Sequence, residues 1–276
     1  MIINLLGKSA IVCGSTSGIG KAIAQEFVRS GANVTLVARN EKLLKQTLKE
    51  LSEPKWKMVT PLVKEGVVQK QRLGYIAADF DKPEQLKRKI SNFVQKNSPV
   101  HILVNNSGGP PSGDILKAKT GEFLTAFKRH LICNHILVSA LWQGMKNAKY
   151  GRIINIISTS VKEPIPGLGV SNTIRAAVAN WAKTLSLELA AFGITVNNIL
   201  PGATMTPRLF SLFQQRAEAV GKSLQSVEKE WLEKIPAGRF ASPQEIAFAA
   251  AFLASPAASY INGINLPVDG GRLSSM

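Results

Sequence analysis

Lys8 to Gly20, KSAIVCGSTSGIG, begins with a short apolar run, Ala10 to Val12, which breaks into Gly14, Gly18 and Gly20 and passes at once into a helical pattern from Lys21 to Ser30. The order is strand, glycine turn, helix. Glycine at these points permits positive φ and a tight turn, lets the backbone approach a ligand closely, and allows the helix to pack against the strand. The free N–H groups of the first helical turn, with the helix dipole behind them, favour a pyrophosphate. Ser15, Thr16, Ser17 and Ile19 complete the loop, three of them adding hydroxyl donors. A ligand-free glycine turn has the same spacing, so the rest of the chain must decide.

Outward from that turn, strand-like runs recur at Val34–Ala38, Tyr75–Ala78, His101–Val104, Ile153–Ile157, Val196–Leu200 and Ile264–Val268. Most are separated by amphipathic stretches long enough for a crossover helix, which implies an α/β fold with a parallel, doubly wound sheet. Gly31 stops the first helix. Ser242-Pro243-Gln244-Glu245 supplies an N-cap, a first-turn proline and a capping-box acid for the last one. Two segments break the alternation: Pro54 to Gly74, a long basic connection, and Thr206 to Pro236, a helical excursion carrying Leu209, Phe210, Leu212, Phe213, Trp231 and Leu232. Following the sixth strand, the excursion would lie at the carboxyl ends of the strands, where ligands sit in such sheets. It is either a lid over substrate or a helical pair buried between subunits.

A chain of 276 residues with 45% hydrophobic content suffices for one large core, and a single domain over residues 1–276 is expected. Cys13 and Cys133 have neither disulfide nor zinc spacing, so no metal site is expected and a reducing compartment is. MIINLLGK carries no secretory pattern, and the apolar run Ile246–Ala254 is far short of the roughly 20 residues of a membrane span. A cytoplasmic protein without a membrane partner follows. The 34 Lys and Arg outnumber 18 Asp and Glu, a formal charge of +16 that gathers in 42–72 and 82–96. Such a field favours anionic ligands. With no zinc finger, helix-turn-helix or aromatic RNA-binding motif, a solvated basic surface is expected rather than a nucleic-acid site.

The strand ends corroborate a dinucleotide. An acid at the end of the second strand accepts from a ribose 2′-OH and repels a 2′-phosphate. This chain has Arg39 and Asn40 there, which points to NADP(H) rather than NAD(H). Asp79-Phe80 ends the third strand with a carboxylate suited to an adenine amino group. Asn105-Asn106-Ser107-Gly108-Gly109 ends the fourth, its glycines open to a ribose. Pro201-Gly202-Ala203-Thr204-Met205-Thr206 follows the sixth and can present N–H and hydroxyl groups to a carboxamide.

These motifs, together with Gly151-Arg152-Ile153-Ile154-Asn155, Gly193-Ile194-Thr195-Val196-Asn197 and Val268-Asp269-Gly270-Gly271, resemble the short-chain dehydrogenase/reductase superfamily in order and spacing over nearly the whole chain. The chain is most similar to the β-ketoacyl-acyl carrier protein reductase-like branch. The resemblance implies a single-domain Rossmann fold of seven parallel strands, NAD(P)(H), a small carbonyl, alcohol or acyl substrate, and a homo-oligomer, commonly a tetramer.

The catalytic pattern of that superfamily, an Asn, a Ser and Tyr-x-x-x-Lys, is broken. Ser158 fits the serine. Ser171 stands where the tyrosine belongs, Arg175 where the lysine belongs, and His130 where the asparagine belongs, with Asn134 a turn away. A divergent subgroup with Gly-Gly-Pro-Pro after the fourth strand and Val-Lys-Glu-Pro before Ser-Asn-x-x-Arg is the closest resemblance, matched by Gly108–Pro111 and Val161–Pro164. A serine without a neighbouring base does not exchange a proton near neutrality, and arginine cannot relay one. His130 can, its unperturbed pKa being about 6.5, unless it is merely packed in the core. An atypical NADP(H)-dependent oxidoreductase, its substrate 3-oxoacyl-like, is therefore expected, with Ser158, Ser171, Arg175 and His130 as its site. The alternative is a catalytically impaired nucleotide-binding protein serving as sensor or scaffold.

Overall fold

The computed structural model describes residues 3–53, 71–97 and 99–275. Seven strands, β1 (Ser9–Cys13), β2 (Asn33–Ala38), β3 (Leu73–Ala77), β4 (Ile102–Asn105), β5 (Gly151–Ile156), β6 (Ile194–Pro201) and β7 (Asn265–Val268), form one parallel sheet in the order β3-β2-β1-β4-β5-β6-β7. The helices are α1 (Gly18–Arg29), α2 (Glu41–Leu51), α3 (Pro83–Lys96), α4 (Thr120–Phe127), α5 (Cys133–Asn147), α6 (Gly169–Leu189), α7 (Pro207–Val220), α8 (Leu224–Leu232) and α9 (Pro243–Ala254). This is the doubly wound Rossmann fold of one domain. Most of the long connection from Pro54 to Gly74 lies outside the described residues.

The strands are apolar at consecutive positions because both faces of the sheet are covered. On one face Ala10, Val12, Ile102, Val104, Ile154 and Ile199 pack with Ile23 and Phe27 of α1 and Ile246 and Ala250 of α9. On the other Ile11, Cys13, Leu103, Ile153 and Val196 pack with Leu86 and Ile90 of α3, Leu137 and Leu141 of α5, and Ala182 of α6. Period-two alternation within each strand thus divides its side chains between two cores. Burial raises both Cys13 and Cys133 thiols, the latter to about 12. Among the described residues no helix is long and apolar enough to cross a membrane.

The winding reverses between β1 and β4, and the crevice outside their carboxyl ends is the ligand-binding position of this architecture. Level with the end of β4, a row of asparagines runs across the sheet. Asn105 donates from Nδ2 to Oδ1 of Asn155 (2.8 Å), Asn155 to Asn198 (2.9 Å), and Asn198 to Asn265 (2.8 Å), joining β4 through β7. The helical excursion is α7 and α8, whose Phe213, Val227 and Trp231 form a small core of their own with Ile235 and Phe240. Glu245 closes the expected cap of α9 by accepting from the Ser242 N–H at 2.8 Å.

Candidate active site

Backbone geometry shapes one end of the crevice. Gly14 has φ +62°, and a Cβ there would lie 2.7 Å from the Asn106 carbonyl oxygen. At Gly20 a Cβ would lie 2.2 Å from the Gly14 oxygen, so the first turn of α1 sits directly on the loop. Gly18, at φ +51°, faces Thr206 across the gap, with 3.1 Å between its absent Cβ and the threonine methyl. The resulting cradle has room for a ligand only while these three positions carry no side chain. It fits a pyrophosphate held on N–H groups at the start of α1.

From this cradle one cavity of about 730 Å³ runs to the start of α6. Gly14, Thr16, Ser17, Gly18 and Ile19 line it first, Arg39, Asn40, Asp79 and Phe80 beside them, then Ser107, Gly108, Pro201, Gly202, Thr204 and Thr206, and finally Ser158, Ser171 and Arg175. Four expected residues stand behind the wall. Ser15 is fully buried and points to the Val37 carbonyl (3.5 Å), and Gly20 supports Gly14 from beneath. Asn105 is buried because it begins the asparagine row. His130 is 2% exposed. Asn40 caps α2 by accepting from the Leu43 N–H (3.1 Å). Arg39 makes no ion pair among the described residues and is open to the cavity.

The other end is made of side chains. Between α4 and α5 the helix widens into a π turn, Lys128–Ile132, which carries His130. Such turns occur often at functional sites. His130 Nδ1 is 2.6 Å from the Ser107 hydroxyl, which lines the cavity, so the ring reaches the cavity through one oxygen. Its Nε2 is buried without a partner among the described residues. Burial first, then the charges of Arg175, Arg129 and Arg208, hold the ring well below the usual histidine range, and it is neutral at pH 7. Ser158 accepts from the Ser160 N–H at 3.1 Å, which fixes its rotamer at the end of β5. Arg175 donates from Nη1 to the Ile156 carbonyl (3.0 Å); burial and Arg208 push its pKa down to about 10.

Among the described residues neither a tyrosine nor a lysine lines the cavity. The Tyr75 hydroxyl donates to Glu41 (3.0 Å), that of Tyr150 to the Ala254 carbonyl (2.7 Å), and Tyr260 is fully exposed. No cluster of three or more metal-ligating side chains occurs among the described residues.

Among the cavity residues not foreseen from the sequence are Arg129, which pairs with Asp81, itself unforeseen; Leu168, ahead of α6; and Arg208, in the first turn of α7. Arg208 stands within the excursion already suspected of covering a ligand, and its signal was an arginine directly after the Thr206-Pro207 helix start.

The chain matches the family model described as enoyl-(acyl carrier protein) reductase over residues 14–272. It is 32% identical over 272 residues to the 3-oxoacyl-(acyl-carrier-protein) reductase FabG of Rickettsia prowazekii (strain Madrid E), covering 99% of each chain. Among solved structures it resembles the L-sorbose reductase of Gluconobacter frateurii complexed with NADPH and L-sorbose, with TM-score 0.88, 29% identity and all of both chains covered. It also resembles YwfH, an NADPH-dependent reductase involved in bacilysin biosynthesis, with TM-score 0.86, 27% identity, and 98% and 99% of the two chains covered.

Proposed function

The chain belongs to the short-chain dehydrogenase/reductase superfamily, and on that premise we propose that it is an atypical NADP(H)-dependent oxidoreductase acting on a carbonyl or alcohol, in which His130 takes the proton-handling part. The observation that carries this reading is the continuity of the cavity, from a glycine cradle beside Arg39, which has no ion-pair partner among the described residues, to a cluster of hydroxyls and arginine with His130 standing behind Ser107. Bound there, the nicotinamide supplies or accepts the hydride. Arg39 is placed to meet a 2′-phosphate. Two solved relatives agree with that preference, YwfH being NADPH-dependent and the L-sorbose reductase complexed with NADPH.

The chain's own groups handle everything else. Ser158 orients the carbonyl oxygen by hydrogen bonding. Arg175 holds ribose or substrate and contributes positive charge, though it cannot move a proton. In the oxidative direction the neutral His130 ring accepts the substrate hydroxyl proton through Ser107 Oγ. In the reductive direction the ring first takes a proton from solvent, and the imidazolium so formed passes it to the developing alkoxide by the same route. A histidine in this role is worth about 10²- to 10⁴-fold. Leu209 and Leu212 of α7 line the cavity, which supports the use of 206–236 as a lid over the carbon skeleton of a 3-oxoacyl-like substrate. The exposed Leu187 (71%) and Phe248 (50%) support a homo-oligomer, proposed as a tetramer, and light scattering gives its mass.

The test is paired. Fluorescence titration is expected to show tighter binding of NADPH than NADH, and NADPH absorbance over a carbonyl panel is expected to fall. Cofactor binding with no turnover of any carbonyl would favour the sensor or scaffold alternative.

A further inference from the structure

We infer that the substrate carries a negatively charged head, a free carboxylate or a phosphate ester, and that Arg175 and Arg208 receive it together beside Gly109. The inference rests on the oxidoreductase reading above and names its substrate class.

Arg175 comes from α6 and Arg208 from α7, yet the two guanidinium groups end at one place. A methyl group added at Gly109 would lie 3.4 Å from Arg208 Nη2 and 3.8 Å from Arg175 Nη2. Each arginine donates one hydrogen bond to a backbone carbonyl, Arg175 to Ile156 and Arg208 to Pro110. A guanidinium has five N–H donors in a rigid fork that matches carboxylate or phosphate oxygens. Neither arginine has an ion-pair partner among the described residues, although the nearby Arg129 has Asp81 and Arg239 has Glu245. Arg175 is only 9% exposed. Two like charges brought together out of water are costly unless a counter-charge joins them. Of the acids that line the cavity, Asp81 is paired with Arg129 and Asp79 acts on the same arginine, so the ligand must bring the negative charge.

Position separates this anion from the cofactor's phosphates. The pyrophosphate cradle lies between Gly18 and Thr206, whereas Gly109 follows Ser107, whose hydroxyl leads to His130. An anion here would also offset the arginine charges that add to burial in keeping His130 neutral, so the ring gains a proton more readily once substrate is seated. A thioester of the kind reduced by acyl-carrier-protein reductases presents a neutral group at this point, and a free oxo acid does not.

The experiment loads the full chain with NADP⁺, which cannot reduce a ketone, and measures binding by melting temperature and tryptophan fluorescence at constant ionic strength. The probes are 2-oxobutanoate, 3-oxobutanoate and 4-oxopentanoate, each beside its methyl ester, and dihydroxyacetone phosphate beside dihydroxyacetone. At least one charged probe is expected to bind, with its neutral partner about 10- to 100-fold weaker, and Arg208→Gln is expected to erase that difference. The better of the oxo acids and the phosphate identifies the head. Equal responses to charged and neutral probes, or none, would overturn the inference, as would an Arg208→Gln variant that loses NADPH affinity in step with anion affinity. Arg208→Lys, which keeps the charge and loses the fork, provides an intermediate affinity should the glutamine variant fold poorly. The same titrations on the free chain decide the matter even if NADPH does not bind, and absent NADPH binding would count against the cofactor reading alone.

Discussion

The two ends of the cavity are built on different principles. At the glycine end, shape comes from the absence of side chains: Gly14 and Gly18 hold positive φ, and a Cβ at Gly20 would lie 2.2 Å from a backbone oxygen. At the α6 end, character comes from side chains of distant segments, His130 on a π turn, Ser107 after β4, Arg175 on α6 and Arg208 on α7. A backbone cradle tolerates no change, and a cluster of side chains tolerates graded change. One end is therefore expected to fail outright on substitution, and the other to be tuned.

The sharpest way to break this comparison is Gly20→Ala. Backbone cannot yield as a flexible side chain can, so the helix must lift from the loop. NADPH binding is expected to fall by about a hundredfold or more, with circular dichroism showing whether the sheet survives. Near-normal binding would mean that the cradle adapts and the contrast is false.

His130→Gln is expected to have the next largest effect, lowering the rate by about 10²- to 10⁴-fold while leaving NADPH affinity nearly unchanged. It also has a signature in stability. The folded ring stays neutral well below the ordinary value of 6.5 and the unfolded ring does not, so below pH 6.5 the unfolded state binds more protons. The wild-type chain therefore loses stability as pH falls from 6.5 toward the depressed folded value, and His130→Gln lacks that loss. Melting temperatures of both proteins between about pH 7 and pH 5 check this; His101 and the carboxylates are common to both, so the difference isolates His130. Parallel curves would refute the buried neutral ring.

The same contrast explains what could be read from the chain before its structure. Gly14, Gly18 and Gly20 act through local conformation, which depends on residue type and spacing alone, and the alternation of apolar runs pointed to the parallel sheet for the same reason. Ser158, Ser171 and Arg175 were legible as positions, since each follows β5 at a set distance. The environment of His130 was not. Its neutrality depends first on burial that no local pattern encodes, and then on three arginines from the π turn, α6 and α7. Arg208 went unrecognised because nothing near it in sequence says that it meets Arg175. Asn105 has the residue type and place of a ligand contact, yet its side chain is committed to Asn155 on the neighbouring strand.

Arg39→Ala sharpens the comparison from the edge of the cradle, where a side chain adds selectivity to a shape set by backbone. A charge-assisted pair with a 2′-phosphate is worth about tenfold at a partly solvated site. NADPH affinity is expected to fall by that factor and NADH affinity to stay put. If the two cofactors weaken equally, Arg39 serves the fold of the β2–α2 turn and not the phosphate.

The smallest effect is expected for Ser171→Ala, and it decides how far this site has departed from the tyrosine chemistry of its superfamily. Ser171 lies in the first turn of α6, where the family resemblance places the tyrosine, and lines the cavity. No hydrogen bond within the described residues holds its hydroxyl, and no lysine among them adjoins it to draw off a proton. Its contribution is therefore one neutral hydrogen bond to ligand, about two- to fivefold in kcat/KM. On the proposed mechanism His130 exchanges a proton and Ser171 only shares one, and the ranking of the two alanine or glutamine variants measures that difference. Should Ser171→Ala cost more than His130→Gln, the proton would have to pass through the serine position, and the histidine would be a packed residue whose neutrality merely reflects its burial.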